Sequence, residues 1–188
     1  MAQFRKKPGR EKREYDQAVV EVARVARVVK GGKRFRFRAT VVIGNRRGTA
    51  GYAVSKGTDV SQAVNKAVEK ARKSLITVPI VKDTIPHSLL IKLGAARILF
   101  KPAPPGTGVI AGGALRPIME LVGIKNISAK MLGARSKVSN VQACFKALKE
   151  LKTPSQIASL RGKSFPKVNQ NHLDENSPAQ EKTLSAKA

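Results

Sequence analysis

Apolar and polar residues alternate along this chain with two different periods, and the switches between them divide it into elements. The first run, AVVEVARVARVV (18–29), is β-branched and stops at Gly31-Gly32, a two-residue hairpin signal. Ala18, Val22, Val25 and Val29 also fit one face of a helix, but composition and the glycine stop predict a strand. In KRFRFRATVVIG (33–44), Phe35 and Phe37 share one face, and Arg34, Arg36 and Arg38 share the other. That predicts a half-buried strand with a cationic outer face. The loop GNRRG (44–48) leads into a third strand, TAGYAVSKG, whose closely spaced glycines predict bulges or near backbone approach. Residues 59–76 then change to helical period. Val60, Ala63, Val64, Ala67, Val68, Ala71 and Leu75 form one face, with Thr58 placed to cap the start. Lys66, Lys70 and Lys73 occupy the opposite face, where either solvent or RNA suits them. The unit closes near Val78-Pro79.

A second unit follows. SLLIKLGAARILFKPA offers two strands broken at Gly94, then a Pro/Gly-rich stretch over 102–113. Leu115, Ile118, Met119 and Val122 predict a helix with Gly123 as its C-cap and Pro117 near its start. KNISAKML reads as a strand. Residues 138–151 read as a helix with Val141, Cys144, Phe145, Leu148 and Leu151 facing inward, and Pro154 opens a short last helix ending near Leu160. Residues 1–14 lack periodicity and read as a flexible basic arm; 166–188 are polar and near neutral, and read as a disordered tail.

Charge narrows the function. The chain of 188 residues has 37 Lys+Arg against 12 Asp+Glu, a formal charge of +25. The excess is not confined to a tail. Residues 1–38 hold 13 basic and 4 acidic side chains, and 77–152 hold 12 and 3. Charge of one sign spread over folded segments costs self-repulsion, which a phosphate backbone relieves. With 6 Phe, 2 Tyr and no Trp, stacking platforms are scarce, which favours contact with phosphates, sugars and helix shape. One cysteine and two distant histidines exclude a disulfide scaffold and a zinc finger. No apolar run approaches the roughly 18 residues of a membrane helix. The start lacks an apolar h-region and carries early acids, so the expected compartment is the cytoplasm, with no membrane partner.

One stretch carries a resemblance. Residues 32–55, G-K-R-F-R-F-R-A-T-V-V-I-G-N-R-R-G-T-A-G-Y-A-V-S, followed by Asp59, Val60, Ala63 and Val64, resemble the signature of the bacterial-type small-ribosomal-subunit protein S5 family. R-V-A-R-V-V-K-G-G (24–32), E-K-A-R (69–72), G-T-G-V-I-A-G-G-A-L-R (106–116) and R-G-K-S (161–164) sit in matching order, so that roughly 15–164 is covered. The chain departs from the pattern at Ala50, Ala53, Ser55 and the pair Arg46-Arg47. The resemblance implies an α+β protein of two small domains. The first, 15–78, would be a three-stranded sheet plus helix similar to double-stranded-RNA-binding domains; the second, 79–165, an α/β sandwich. It also implies a structural role near the neck of the small subunit, beside proteins S4 and S8 and the mRNA entry region, with an influence on translational accuracy.

With that resemblance, several cations and glycines become candidate RNA-binding residues; without it, the hairpin tip reads equally as an ordinary turn with solvated lysines. At the hairpin tip Lys30, Gly31, Gly32 and Lys33 combine close backbone approach with two cations. Arg34, Arg36 and Arg38 recur about 7 Å apart from strand rise, comparable to phosphate spacing. Arg46, Arg47 and Lys56 are expected as neighbours across the sheet. Arg24 and Arg27 on the first strand, with Arg97, Lys101, Gly112, Gly113 and Arg116 in the second unit, complete the set. The run GTGVIAGG before a helix suits an anion at the helix N-terminus. It also resembles the glycine-rich loop of galactokinase- and homoserine-kinase-type enzymes, but between 77 and 152 the acids are only Asp83, Glu120 and Glu150, in no catalytic motif. A free-standing double-stranded-RNA-binding protein would leave the second unit unused. Cys144 reads as core, and His87, beside Pro86, as a structural or exposed residue without a partner. No catalytic residue, metal or cofactor is expected.

Overall fold

The computed structural model describes residues 15–162, so the expected arm at 1–14 and tail at 166–188 lie outside the described residues. These fall into two compact units, one ending at Thr153 and one beginning at Pro154, the latter carrying the short helix α4 (Pro154–Leu160).

The first unit is α+β, built on two four-stranded sheets. Strands β1 (Asp16–Val29), β2 (Gly32–Gly44), β3 (Thr49–Gly57) and β4 (Leu75–Thr77) form an antiparallel sheet in chain order, with helix α1 (Val60–Arg72) between the last two. Sequence periodicity predicts three strands and a helix running to 76. The helix instead ends at the C-cap Lys73, and Leu75–Thr77 adds a fourth strand along β3. Its alternation explains the switch: Leu75 packs toward α1 and Ile76 toward the opposite face. The α1 cap also differs from expectation. Asp59, not Thr58, accepts from the Ser61 N–H at 3.2 Å, while Thr58 bonds Gln62. Hydrogen bonds from the Val60 backbone, then from Ser61, hold the Asp59 carboxyl below its ordinary value.

Contact between α1 and its sheet rests on small residues. Ala63, Ala67 and Ala71, one turn apart, are fully buried against Ala39, Val41, Ile43 and Ala53. A Cβ on Gly57 would stand 2.7 Å from the Ala63 nitrogen, and one on Gly51 2.6 Å from the Ala71 carbonyl oxygen. The glycines of β3 thus mark near backbone approach, as their spacing predicts.

Strands β5 (Leu89–Leu93), β6 (Ala96–Pro102), β7 (Val109–Ile110) and β8 (Ile127–Met131) form the second sheet in the order β5-β6-β8-β7. Only β7 and β8 are parallel, joined by helix α2 (Arg116–Val122) as a crossover. Helix α3 (Lys137–Glu150) packs on β5 and β6. Its buried stripe holds Val141, Cys144, Phe145 and Leu148, as periodicity predicts. Desolvation pushes the Cys144 thiol far above its ordinary value. His87 is not partnerless: its Nδ1 lies 3.0 Å from the Ser88 carbonyl oxygen, and its Nε2 accepts from the Lys152 N–H at 3.4 Å.

Both sheets share one core. Even-numbered residues of β2 and β3, including Val42, Ala50 and Tyr52, join a cluster with Leu121, Val122, Phe145 and Leu148. The Tyr52 and Phe145 rings meet at 4.5 Å. The loop 45–48 closes the joint. Its Arg46 and Gly48 N–H groups donate to the Leu121 and Val122 carbonyls at 2.9 and 2.8 Å, satisfying the orphan acceptors at the end of α2. Gly123 follows at φ +96, and a Cβ there would collide with the Arg46 backbone. Gly123→Ala therefore combines a left-handed conformation with a backbone clash, and should cost on the order of 1–3 kcal/mol. Urea unfolding followed by alkylation of Cys144 measures this. Gly113→Ala, with open space around its Cβ, should leave the midpoint unchanged.

Candidate nucleic-acid interface

The sequence-predicted cations fall into three places. The largest group rides on the β1–β2 hairpin, which outruns the rest of its sheet. β3 pairs with β2 only from Phe37 onward, so residues 24–36 continue as a two-stranded arm. Along β2 the burial changes accordingly. Gly32 to Arg36 are exposed, Phe37 and Arg38 are half-buried, and Ala39 to Gly44 are buried. The expected half-buried strand is thus buried on both faces at one end and open on both at the other. Phe35, predicted to face the core, is 50% exposed, because among the described residues no helix or sheet extends far enough to cover it.

Register assigns each arm residue to a face. Arg27 lies directly across from Arg34, Val25 from Arg36, and Arg38 from both Ala23 and Lys56. Directly paired residues share a face, so Arg27, Arg34, Arg36, Arg38 and Lys56 line one side of the arm. A groove of about 780 Å³ opens at the arm, lined by Arg27, Arg34, Arg36 and Lys56 and also by Ala26 and Phe35 of the other side. Arg24 and Lys33 are on the other side, with Phe35. The turn is formed by Lys30 and Gly31; Gly32, at φ +136, already pairs with Val29. The two-residue turn is therefore one position earlier than Gly31-Gly32.

Electrostatics of this side are one-sided. Two pairs of like charge, Arg27/Arg34 and Arg38/Lys56, stand directly opposed, an arrangement that destabilises a sheet. Among the described residues, the acid that reaches the row is Glu21, 3.7 Å from Arg38 at the root of the arm. The Arg38 Nε is buried without a hydrogen-bond partner.

Arg46 and Arg47 occupy the second place. They are not neighbours of Lys56, because they precede the start of β3 while Lys56 lies near its end; the register positions Gly44↔Ala50 and Arg38↔Lys56 are six residues apart. Asn45 Oδ1 accepts from the Arg47 and Thr49 N–H groups, and Arg46, at φ +57, pairs with Asp16 at 2.9 Å. The third place is the open face of the second sheet. Arg97 and Lys101 are exposed there, joined by two lysines that charge counting alone did not single out, Lys92 and Lys130. Lys92 directly opposes Arg97, and Lys130 opposes Leu99. The alternation in LLIKL and ISAKM is the signal that finds them.

The glycine-rich segment departs from an anion cradle. Helix α2 has seven residues, and the Leu115 and Arg116 N–H groups both donate to the Gly112 carbonyl. The Met131 methyl group occupies the space beside Gly112, while Gly113 faces open space. Arg116 pairs with Glu120 at 3.1 Å, Asp83 with Lys125 at 3.2 Å, and Glu150 with Lys146 at 3.9 Å. Among the described residues no three His, Cys, Asp or Glu side chains come together as metal ligands, and no helix is long and apolar enough to cross a membrane.

Comparison with known proteins bears on both sheets. Residues 15–79 match the family model for ribosomal protein S5, N-terminal domain, and 91–161 match that for ribosomal protein S5, C-terminal domain. The chain is 48% identical over 150 residues to the small ribosomal subunit protein uS5c of Rhodomonas salina, covering 79% of this chain and 89% of that protein.

Removing one arginine of an opposed pair should relieve repulsion within the free arm. For Arg34→Gln we expect slower amide exchange between 24 and 36 at low salt, equivalent to about 0.2–1 kcal/mol. Raising the salt should slow exchange in the unaltered arm and shrink the difference. Faster exchange in the variant would contradict the repulsion.

Proposed function

The chain belongs to the ribosomal protein S5 family and is a constituent of the small ribosomal subunit, and from that premise we propose that it binds rRNA through the cationic side of its β1–β2 arm. The observation that carries this reading is the arm itself: two strands, open on both faces, bearing Arg27 opposed to Arg34 on a side where Glu21 reaches only Arg38. A two-stranded ribbon is marginally stable alone. Like charges set against each other on one are explained by a polyanion that relieves them, and phosphates do so by counterion release.

Contacts then divide by role. Arg27, Arg34, Arg36, Arg38 and Lys56 take phosphates along the groove; Lys30, Gly31, Gly32 and Lys33 meet the backbone at the tip, with Arg24 beside them. Arg97 and Lys101, with Lys92 and Lys130, form a second phosphate-binding face. Arg46 and Arg47 lie at the joint between the sheets, and Gly112, Gly113 and Arg116 lie at the start of α2; both places suit a protein or rRNA neighbour. Following the family resemblance, the partners are S4, S8 and the mRNA entry region near the neck, and the role is assembly and translational accuracy. The division between the domains falls at 78/79. Catalysis has no part in this reading, which the engagement of Asp83, Glu120 and Glu150 in surface ion pairs supports.

Sedimentation through a sucrose gradient tests it. Tagged protein in lysate should co-migrate with small subunits after a high-salt wash, and Arg27→Glu with Arg34→Glu should shift most of it to the top while Cys144 stays protected. Equal incorporation of that variant would overturn the arm as an rRNA contact. In isolation, the affinity for RNA should fall steeply with salt, with a log–log slope of about −0.7 to −0.9 per phosphate neutralised.

A further inference from the structure

On the side of the arm away from the arginine row, one aromatic ring stands in solvent. Phe35 is 50% exposed, and the Arg24 guanidinium carbon lies 3.8 Å from its ring centroid. Lys33 follows on the same face, together with the 73% exposed Val28. An exposed aromatic ring on a surface strand forfeits its burial energy. Here the strand runs past every described element that would cover it. What remains is an aromatic plane joined to a planar cation, the two side-chain surfaces on which unpaired bases stack.

We propose that Phe35 and Arg24 form a stacking platform for one unpaired nucleobase of the RNA whose backbone the arm binds. The proposal rests on the rRNA-binding reading and goes beyond it, since the scarcity of aromatics predicts contact with phosphates, sugars and helix shape rather than stacking. The two faces of the arm then divide the work: arginines on one side hold the phosphate chain, and the platform on the other receives a base turned out of its helix. The occupant is RNA rather than a protein side chain, because every charged group on this face of the arm, Arg24 and Lys33, is a cation, and the opposed face is cationic as well. Stacking is tolerant of base identity, as every base offers a π-face. The site therefore selects an unpaired position, not a sequence.

Full-length protein and two RNA stems test this, one fully paired and one carrying a single bulged 2-aminopurine. Wild type should bind the bulged stem more tightly and quench its fluorescence. Phe35→Leu, which keeps an apolar side chain but no ring, should lose the quench and bind the bulged stem roughly 5- to 100-fold more weakly. Its affinity for the paired stem should be unchanged, and Phe35→Tyr should retain both effects. Cys144 protection verifies folding in each case. A Phe35→Leu protein that quenches like wild type overturns the platform, as does wild type binding both stems equally. Wild type binding neither stem overturns the rRNA-binding reading and the platform with it. In assembled subunits, a photoreactive benzoylphenylalanine at position 35 should crosslink to RNA; crosslinking to a protein neighbour overturns the proposal.

Discussion

Strand β2 is continuous over thirteen residues but lives in two environments, and the molecule depends on that contrast. From Ala39 to Gly44 it is buried on both faces, α1 against one and the α2–α3 layer against the other. Such burial requires backbones to come close, which the glycines allow: a Cβ on Gly44 would collide with the Leu121 carbonyl. Val41, Val42 and Ile43 each contribute about 1.5–3 kcal/mol by leaving water, so the root of the strand is held firmly. The same strand then leaves the body as the arm. A ribbon that could not hold its register alone is held at one end by a core it does not itself cover.

Charge is arranged along the same axis. The acids of β1 sit at the root, Asp16 paired with Arg46 and Glu21 with Arg38, while the cations run out to Lys30 and Lys33 at the turn. Self-repulsion therefore rises where hydrophobic support falls. Folded alone, the outer arm opens at low cost; against a polyanion its repulsion becomes attraction. Local stability and ligand affinity come from one set of side chains, with opposite signs.

Periodicity located most elements because it reports which side a residue faces. The inward stripe of α3 and the paired faces of β2 were legible for that reason. Depth was not. Alternation puts Phe35 and Phe37 on one face, yet only the length of neighbouring strands decides that Phe37 is half-buried and Phe35 open. The same limit explains Arg46 and Arg47: most of the nine-residue strand β3 separates them from Lys56, and only pairing shows which end each occupies. Gly31-Gly32 marked a turn, but its centre depends on register, and Gly32 serves by its positive φ within the pairing. Leu75–Thr77 joined the helix pattern because Leu75 continues its apolar stripe; the β-branched pair Ile76 and Thr77 was the local sign of a strand.

The second sheet repeats the arm's device without its geometry. Lys92 stands against Arg97 on an open face, and Lys101 and Lys130 extend the row. Sheets stabilise such faces by pairing opposite charges across strands, and this chain has 12 acids to offer. Among the described residues, Asp16 binds the loop beside α2, Asp83 bonds Lys125 just before β8, and Glu120 and Glu150 close helical turns. Two sheets on which Arg27, Arg34, Lys92 and Arg97 have no ion pair among the described residues, while acids are kept for local pairs, are not independent accidents of a high isoelectric point. They are what a protein needs if polyanion meets it on more than one side. On the proposed reading, the arm supplies reach into the RNA, and the second sheet a cationic face for a second contact.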